Sequence, residues 1–158
     1  MSARAPRRQR QPAVLLALAA LLAACGAAAT GPPEVHWGVD ECSHCHMILA
    51  EERFAAVARH TTGEEARFDD LECLVRFLAD RGETGWTAWA HDAAGPGWLE
   101  APAASYAATA TRTPMGSGLL AFARPEAAAE AASAGEALRW QELPERAAAA
   151  GPRPVDAR

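Results

Sequence analysis

The chain has 158 residues and a formal net charge of −5 at pH 7. All 20 acidic residues lie after residue 24, where 11 arginines and no lysine accompany them, so that part of the chain carries a formal charge of −9. Such an acidic chain is a poor candidate for binding nucleic acid. Its length suits one compact domain, or two small halves that share a core.

The N-terminus has the features of a secretory signal peptide: several arginines, the apolar run PAVLLALAALLAA and then small residues. This run is shorter than a membrane-spanning helix requires. The sequence LAAC at residues 22–25 has the form of a bacterial lipobox, whose cysteine becomes the lipidated first residue. We predict a lipoprotein signal peptide at residues 1–24, acylation of Cys25 that anchors the chain to the lipid bilayer, and a flexible tether at residues 25–34. An ordinary cleaved signal and an uncleaved anchor are the alternatives.

The ordered part is predicted to begin near Val35, and its first half shows two strands, a helix and a strand. The predicted strands cover residues 53–60, 66–68 and 85–92, and the predicted helix covers residues 69–82. The helix is well signalled, since Asp69 or Asp70 can cap it, apolar residues recur at helical spacing, and Gly82 ends it.

The second half repeats this order loosely. The predicted strands cover residues 98–101, 118–125 and 136–143, and a helix with proline in its first turn covers residues 125–135. We therefore predict an α+β fold in which two similar ββαβ halves, about 35–92 and 93–143, pack into one metal-binding domain. Residues 144–158 show no apolar period and are predicted to be a disordered tail.

A six-residue segment, CSHCHM at residues 42–47, places two thiols, two imidazoles and a thioether close together. A second thioether, that of Met115, lies in a loop bounded by proline and glycines, where it has little periodic core pattern to belong to. Thiolate and thioether donors select Cu(I). Cys45, Met47 and Met115 are thus predicted Cu(I) ligands, and Cys42 can join them as a second thiolate or store the pair as a disulfide.

The remaining cysteine and the acidic pairs are interpreted as structural. If Cys25 carries lipid, three thiols remain, and an odd number outside the cytoplasm makes at least one of them a candidate ligand. Cys73 lies within the predicted helix, next to the Leu74 face, and is predicted to be a buried small apolar residue. Asp69 and Asp70 are interpreted as helix-start charges. No nucleophile, base and orienting group occur together, so we predict a metal carrier and not an enzyme.

Three other chemistries match parts of the same segment. Residues 42–46 have the C-x-x-C-H spacing of a c-type haem protein that transfers electrons, and Met115 could be the second axial ligand, but the preceding PPEVHWGVD is too short and proline-broken for the usual helix. A thiol-disulfide oxidoreductase would place its first thiolate at a helix N-terminus, and no helix is predicted there. A zinc site that includes Cys73 would leave both methionines unused.

Five segments in this order resemble the NosL family, lipoproteins associated with nitrous oxide reductase maturation. The segments are DECSHCHMILAEERFAA, FDDLECLVRFL, WLEAPAASY, TPMGSGLLAF and ALRWQEL, which together span residues 40–143. The resemblance implies Cu(I) binding through Cys45 and Met47, with Met115 as the distant ligand. Cys42 stands at a position that is cysteine in only part of the family. His46 departs from the family, which commonly has glycine there, and this departure creates the C-x-x-C-H match.

The resemblance also implies a biological setting. It implies a copper chaperone that faces the periplasm and supplies the copper sites of nitrous oxide reductase, with an ABC-type maturation transporter complex as a further partner. Lipidated Cys25 would hold the chaperone on the bacterial cell envelope, where we expect it in the outer membrane.

Overall fold

The computed structural model describes residues 30–149 and residue 151. All of them except Thr30 belong to the second of two units into which the chain divides, Met1–Thr30 and Gly31–Arg158. The predicted signal peptide, Cys25 and most of the predicted tether lie outside the described residues. Within the described part of the chain, no helix is long and apolar enough to span a bilayer.

Six strands and three helices form the described domain, together with short 3-10 turns. In chain order they are β1 (Ala56–His60), β2 (Glu65–Phe68), α1 (Leu71–Arg81), β3 (Trp86–His91), β4 (Trp98–Glu100), β5 (Ser105–Ala108), β6 (Leu119–Phe122), α2 (Pro125–Ala131) and α3 (Leu143–Ala149). The 3-10 turns are Glu52–Phe54, Ala101–Ala103 and Trp140–Glu142.

The strands form two antiparallel sheets. Four of them pair in the order β2-β1-β3-β4, with Val57 opposite Arg67 on one side and Trp89 on the other. Strands β5 and β6 form a separate pair, and an isolated parallel bridge between Asp92 and Ala121 links this pair to the chain just beyond β3. The main apolar cluster includes residues from α1, the larger sheet and β5, so both sheets contribute to one core.

Helix α1 confirms the predicted helix and lies beside the larger sheet. The Asp70 carboxylate accepts a hydrogen bond from the Glu72 N–H at 2.9 Å, which satisfies one of the free amides of the first turn. Gly82 ends the helix with φ +84°, a conformation that costs glycine little. Between these ends the apolar face is buried, and the ring of Phe77 packs edge-on against Phe68 of β2 at 5.1 Å. This packing fixes the middle of α1 relative to the end of β2.

The α+β class is confirmed, and so is the β-β-α-β order of the first half. The closing strand predicted at residues 136–143 is wrong. Leu138 makes only an isolated bridge to Tyr106, and a 3-10 turn and helix α3 follow. The Arg139 N–H donates to the Glu142 carboxylate at 2.8 Å, which favours a turn at this point.

Helix α3 occupies part of the segment that was predicted to be a tail. Pro144 lies in its first turn, where a missing N–H costs nothing. The Arg76 guanidinium of α1 donates to the carbonyl oxygens of Ala147 at 2.8 Å and Gly151 at 2.7 Å, and Ala147 is buried. Because Leu143 is the one large apolar residue of this helix, its sequence shows no helical period, although contacts with α1 hold it in place.

Candidate metal centre

The cysteine loop, which we define as residues 40–49, is held against strand β2 by backbone hydrogen bonds. Within the loop, the Cys42 N–H donates to the Met47 carbonyl at 2.8 Å and the His46 N–H donates to the Cys42 carbonyl at 3.0 Å. Ser43 exchanges two bonds with Arg67 of β2: its N–H donates to the Arg67 carbonyl at 2.7 Å, and its hydroxyl accepts the Arg67 N–H at 3.0 Å. The loop therefore lies beside the end of β2, just before helix α1 begins.

Three thiols and one carboxylate meet where this loop faces the first turn of α1. One ligand atom from each of Cys42, Cys45, Cys73 and Asp69 lies within 4.8 Å of the others, and all four residues are buried. The three thiols are free. With a metal–sulfur distance near 2.3 Å, one ion holds its thiolates roughly 4 Å apart. The cluster is thus close to the size that a single thiophilic ion requires.

The three thiols of the cluster differ in pKa. The side chains of Cys45 and Cys73 and the N–H groups of Cys45 and Asp69 face the Cys42 sulfur, and hydrogen bonding from them holds the pKa of Cys42 well below its ordinary value. Hydrogen bonding to Cys42 raises the pKa of Cys45 to about 12 and also raises the pKa of Cys73. Cys42 is therefore the thiol of the cluster that loses its proton most readily, and it lies beside two thiols that can join it in binding a cation.

Asp69 completes the cluster as a buried carboxyl group. Its Oδ1 accepts the Cys45 S–H at 3.2 Å, while its Oδ2 is buried and has no hydrogen-bond partner among the residues that the structure describes. Burial, followed by the nearby charge of Cys42, raises the pKa of Asp69 to about 7. An unsatisfied buried acceptor typically costs about 1–3 kcal/mol, so this oxygen is well suited to a metal ion or a proton.

Comparison with known proteins identifies the fold. No protein-family model and no curated protein sequence matches the chain. A solved structure does match: the crystal structure of the copper chaperone NosL from Shewanella denitrificans, with a TM-score of 0.57 and 20% sequence identity. The match covers 70% of this chain and 96% of that chain. The two chains share one fold. The α+β domain is thus an architecture that a NosL copper chaperone also has.

The structure brings together two of the four predicted ligands. Cys42 and Cys45 lie in the cluster. Met47, by contrast, is 39% exposed, and its carbonyl accepts the hydrogen bond from the Cys42 N–H that closes the loop. Met115 is half-buried and packs against the core cluster that contains the three cysteines. Metal binding by Met47 and Met115 stays a prediction.

Two members of the cluster, Cys73 and Asp69, were not predicted as ligands. Cys73 is fully buried, as predicted, but its thiol faces the cysteine loop rather than apolar side chains alone. Of the two aspartates that were assigned to the helix start, Asp70 is the cap and Asp69 turns toward the thiols. A cysteine in the first turn of a capped helix, three residues after an aspartate pair, was the available signal.

The backbone at His46 has a conformation that favours glycine. This gives a physical reason why the family that the sequence resembles commonly has glycine between the second cysteine and the methionine. The φ of His46 is +64°, and His46 is the one non-glycine residue with positive φ in the described part of the chain. Glycine adopts this conformation without a steric penalty. The geometry also disfavours the haem alternative. The Cys42 sulfur belongs to a residue with no exposed surface, whereas a c-type haem needs both cysteine sulfurs at the edge of its ring.

A separate cleft on the domain is larger than the thiol cluster but lacks thiol ligands. It has a volume of about 680 Å³, and its walls include Glu72, Ser117, Glu136 and Glu145. None of the cysteines lines it. Glu72 is buried and paired with Arg76, and the carboxylates of Glu136 and Glu145 are exposed, as is common without a ligand; we therefore assign the functional site to the buried thiols.

Proposed function

We propose that this protein is a Cu(I) carrier of the NosL type and not an enzyme. One observation carries the proposal: three free thiols from two distant segments of the sequence converge in one buried cluster, within a fold that a copper chaperone also has. Soft thiolate ligands favour Cu(I) over harder cations. A buried site of this kind holds the ion away from water and from adventitious oxidants while the protein carries it.

The destination and the location of the carrier are part of the same proposal. The sequence resemblance supports delivery of Cu(I) for assembly of the copper sites of nitrous oxide reductase, with an ABC-type transporter complex as a partner. The lipobox supports anchoring through acylated Cys25 on the periplasmic side of the cell envelope. We expect Cys25→Ser to abolish incorporation of labelled fatty acid; equal labelling of both forms would exclude this anchor.

Metal preference tests the central proposal. We expect the chain that begins after Cys25 to bind one Cu(I) under reducing conditions and to keep it when Zn(II) is added in about 100-fold excess, because thiolates prefer the softer ion. Competition with a coloured Cu(I) chelator measures the affinity, and metal analysis after gel filtration gives the stoichiometry. A protein that binds no Cu(I), or exchanges it for Zn(II) at equal concentrations, would contradict the proposal.

A further inference from the structure

The carboxylate of Asp70 connects two segments that are far apart in the sequence. Its Oδ1 accepts hydrogen bonds from the Glu72 N–H at 2.9 Å and the Ser117 hydroxyl at 2.8 Å. Its Oδ2 accepts the Met115 N–H at 2.9 Å. Asp70 is fully buried, so its charge depends on these three donors in place of water. One residue therefore caps α1 and fastens the chain around Met115 to it.

The methionine loop, which we define as residues 113–118, is organised by its own hydrogen bonds. The Gly116 N–H donates to the Thr113 carbonyl at 2.9 Å, and the Gly118 N–H donates to the Thr113 hydroxyl at 3.2 Å. Both glycines have positive φ, +74° and +66°, and a Cβ at Gly118 would collide with the Thr109 carbonyl oxygen. The loop thus forms a compact turn whose attachment to α1 runs through Asp70.

The first turn of α1 and the residue before it also supply two members of the thiol cluster. Asp69 is the neighbour of Asp70, and Cys73, whose N–H donates to the Asp70 carbonyl at 3.0 Å, lies one turn further on. The Met115 backbone is therefore fixed within one helical turn of both. Met115 is half-buried and packs against the core cluster that contains the three cysteines.

We propose that Asp70 is a positioning residue that holds Met115 beside the buried thiols, so that its thioether completes the Cu(I) site. This inference rests on the proposed function. Asp70 itself touches no metal; it acts through the Met115 N–H. A neutral thioether adds a soft donor to the thiolates without adding negative charge. The bond from the Met115 N–H to Asp70 fixes the backbone and leaves the Met115 side chain available to bind the metal.

The test is a double-mutant cycle in the mature chain, with Cu(I) as the probe. Asp70→Asn keeps a carbonyl oxygen that can cap Glu72 but replaces the acceptor of the Met115 N–H with an amide group. Met115→Leu removes the thioether at nearly constant volume. We expect each change to lower Cu(I) affinity about 10- to 100-fold. The double variant should be no weaker than the weaker single variant, because both changes remove the same donor.

Two further variants and a spectroscopic measurement separate positioning from a loss of folding. Asp70→Ser retains a good helix cap but is too short to reach Met115, so it should behave as Asp70→Asn does. Asp92→Asn is the matched control, since its carboxylate accepts the Ala94 N–H at 3.0 Å in a turn without cysteines; it should leave the affinity unchanged. X-ray absorption at the copper edge should show one sulfur fewer in Asp70→Asn and in Met115→Leu than in the wild type.

The outcomes distinguish this inference from the proposed function. A wild-type chain without Cu(I) binding would overturn both. A wild-type chain that binds Cu(I), together with additive losses in the double variant or an unchanged sulfur count in Asp70→Asn, would overturn only the positioning role. Unchanged affinity in both Asp70 variants would overturn it as well.

Discussion

Replacement of Cys73 by alanine is expected to lower Cu(I) affinity at least about 100-fold, which corresponds to about 2.7 kcal/mol. The reason is geometric. The Cys73 sulfur lies within 4.8 Å of the sulfurs of Cys42 and Cys45, in a site with no exposed surface at Cys42 or Cys73. Water cannot easily take the place of a lost thiolate there, so the ion would keep only two sulfur ligands from the cluster. Competition with a Cu(I) chelator measures the change.

The same substitution also removes a buried atom, so a control must separate packing from ligation. Val75→Ala is suitable, since Val75 lies on the same helix, is 3% exposed and carries no donor atom. It leaves a void of similar size or larger and should cost about 1–2 kcal/mol of unfolding free energy. Its Cu(I) affinity should stay within about threefold of wild type. Equal Cu(I) affinities of Cys73→Ala and the wild type would return Cys73 to a purely structural role.

The first half of the fold could be predicted because its elements carry large apolar residues at regular spacing. Helix α1 is the clearest case, with a capping aspartate, a buried apolar face and a terminal glycine that all agree. In the second half, alanine replaces those residues. The chain after Gly135 was predicted as a strand and a tail, and its turn and helix depend on tertiary contacts such as the bonds from Arg76 to the carbonyls of Ala147 within α3 and Gly151 just beyond it.

The candidate site was predictable only where its residues are close in sequence. Cys42 and Cys45 form a recognisable spacing, and the structure places both in the cluster. Cys73 and Asp69 join them because the cysteine loop pairs with the end of strand β2, which leads directly into the start of α1; this contact depends on the pairing of Ser43 with Arg67. Sequence spacing carries no information about such a contact, although the odd number of thiols did indicate that one of them would be a ligand.

Replacement of Asp69 by asparagine is expected to change the metal preference rather than abolish binding. Cu(I) with three thiolates already has a net charge of −2, so an ionised carboxylate beside it would add repulsion. Burial and Cys42 raise the pKa of Asp69 to about 7, which makes a neutral carboxyl that donates to sulfur accessible near neutral pH. The asparagine amide can donate in the same way. Cu(I) affinity should therefore stay within about threefold of wild type.

Zn(II) should respond differently to the same variant. Zinc takes four ligands, readily accepts a carboxylate oxygen as one of them, and has one more positive charge than Cu(I) to compensate. Cys42, Cys45, Cys73 and Asp69 form such a set, and the free Oδ2 of Asp69 is the oxygen without a hydrogen-bond partner in the described structure. We expect Asp69→Asn to weaken Zn(II) binding about 100-fold, or about 2.7 kcal/mol.

Parallel competition titrations with both metals measure the ratio of the two affinities, with Asp92→Asn as the control. Equal losses for Cu(I) and Zn(II) would instead make Asp69 a ligand to both ions, and the selectivity of the carrier would then have to come from its thiolates and thioethers alone.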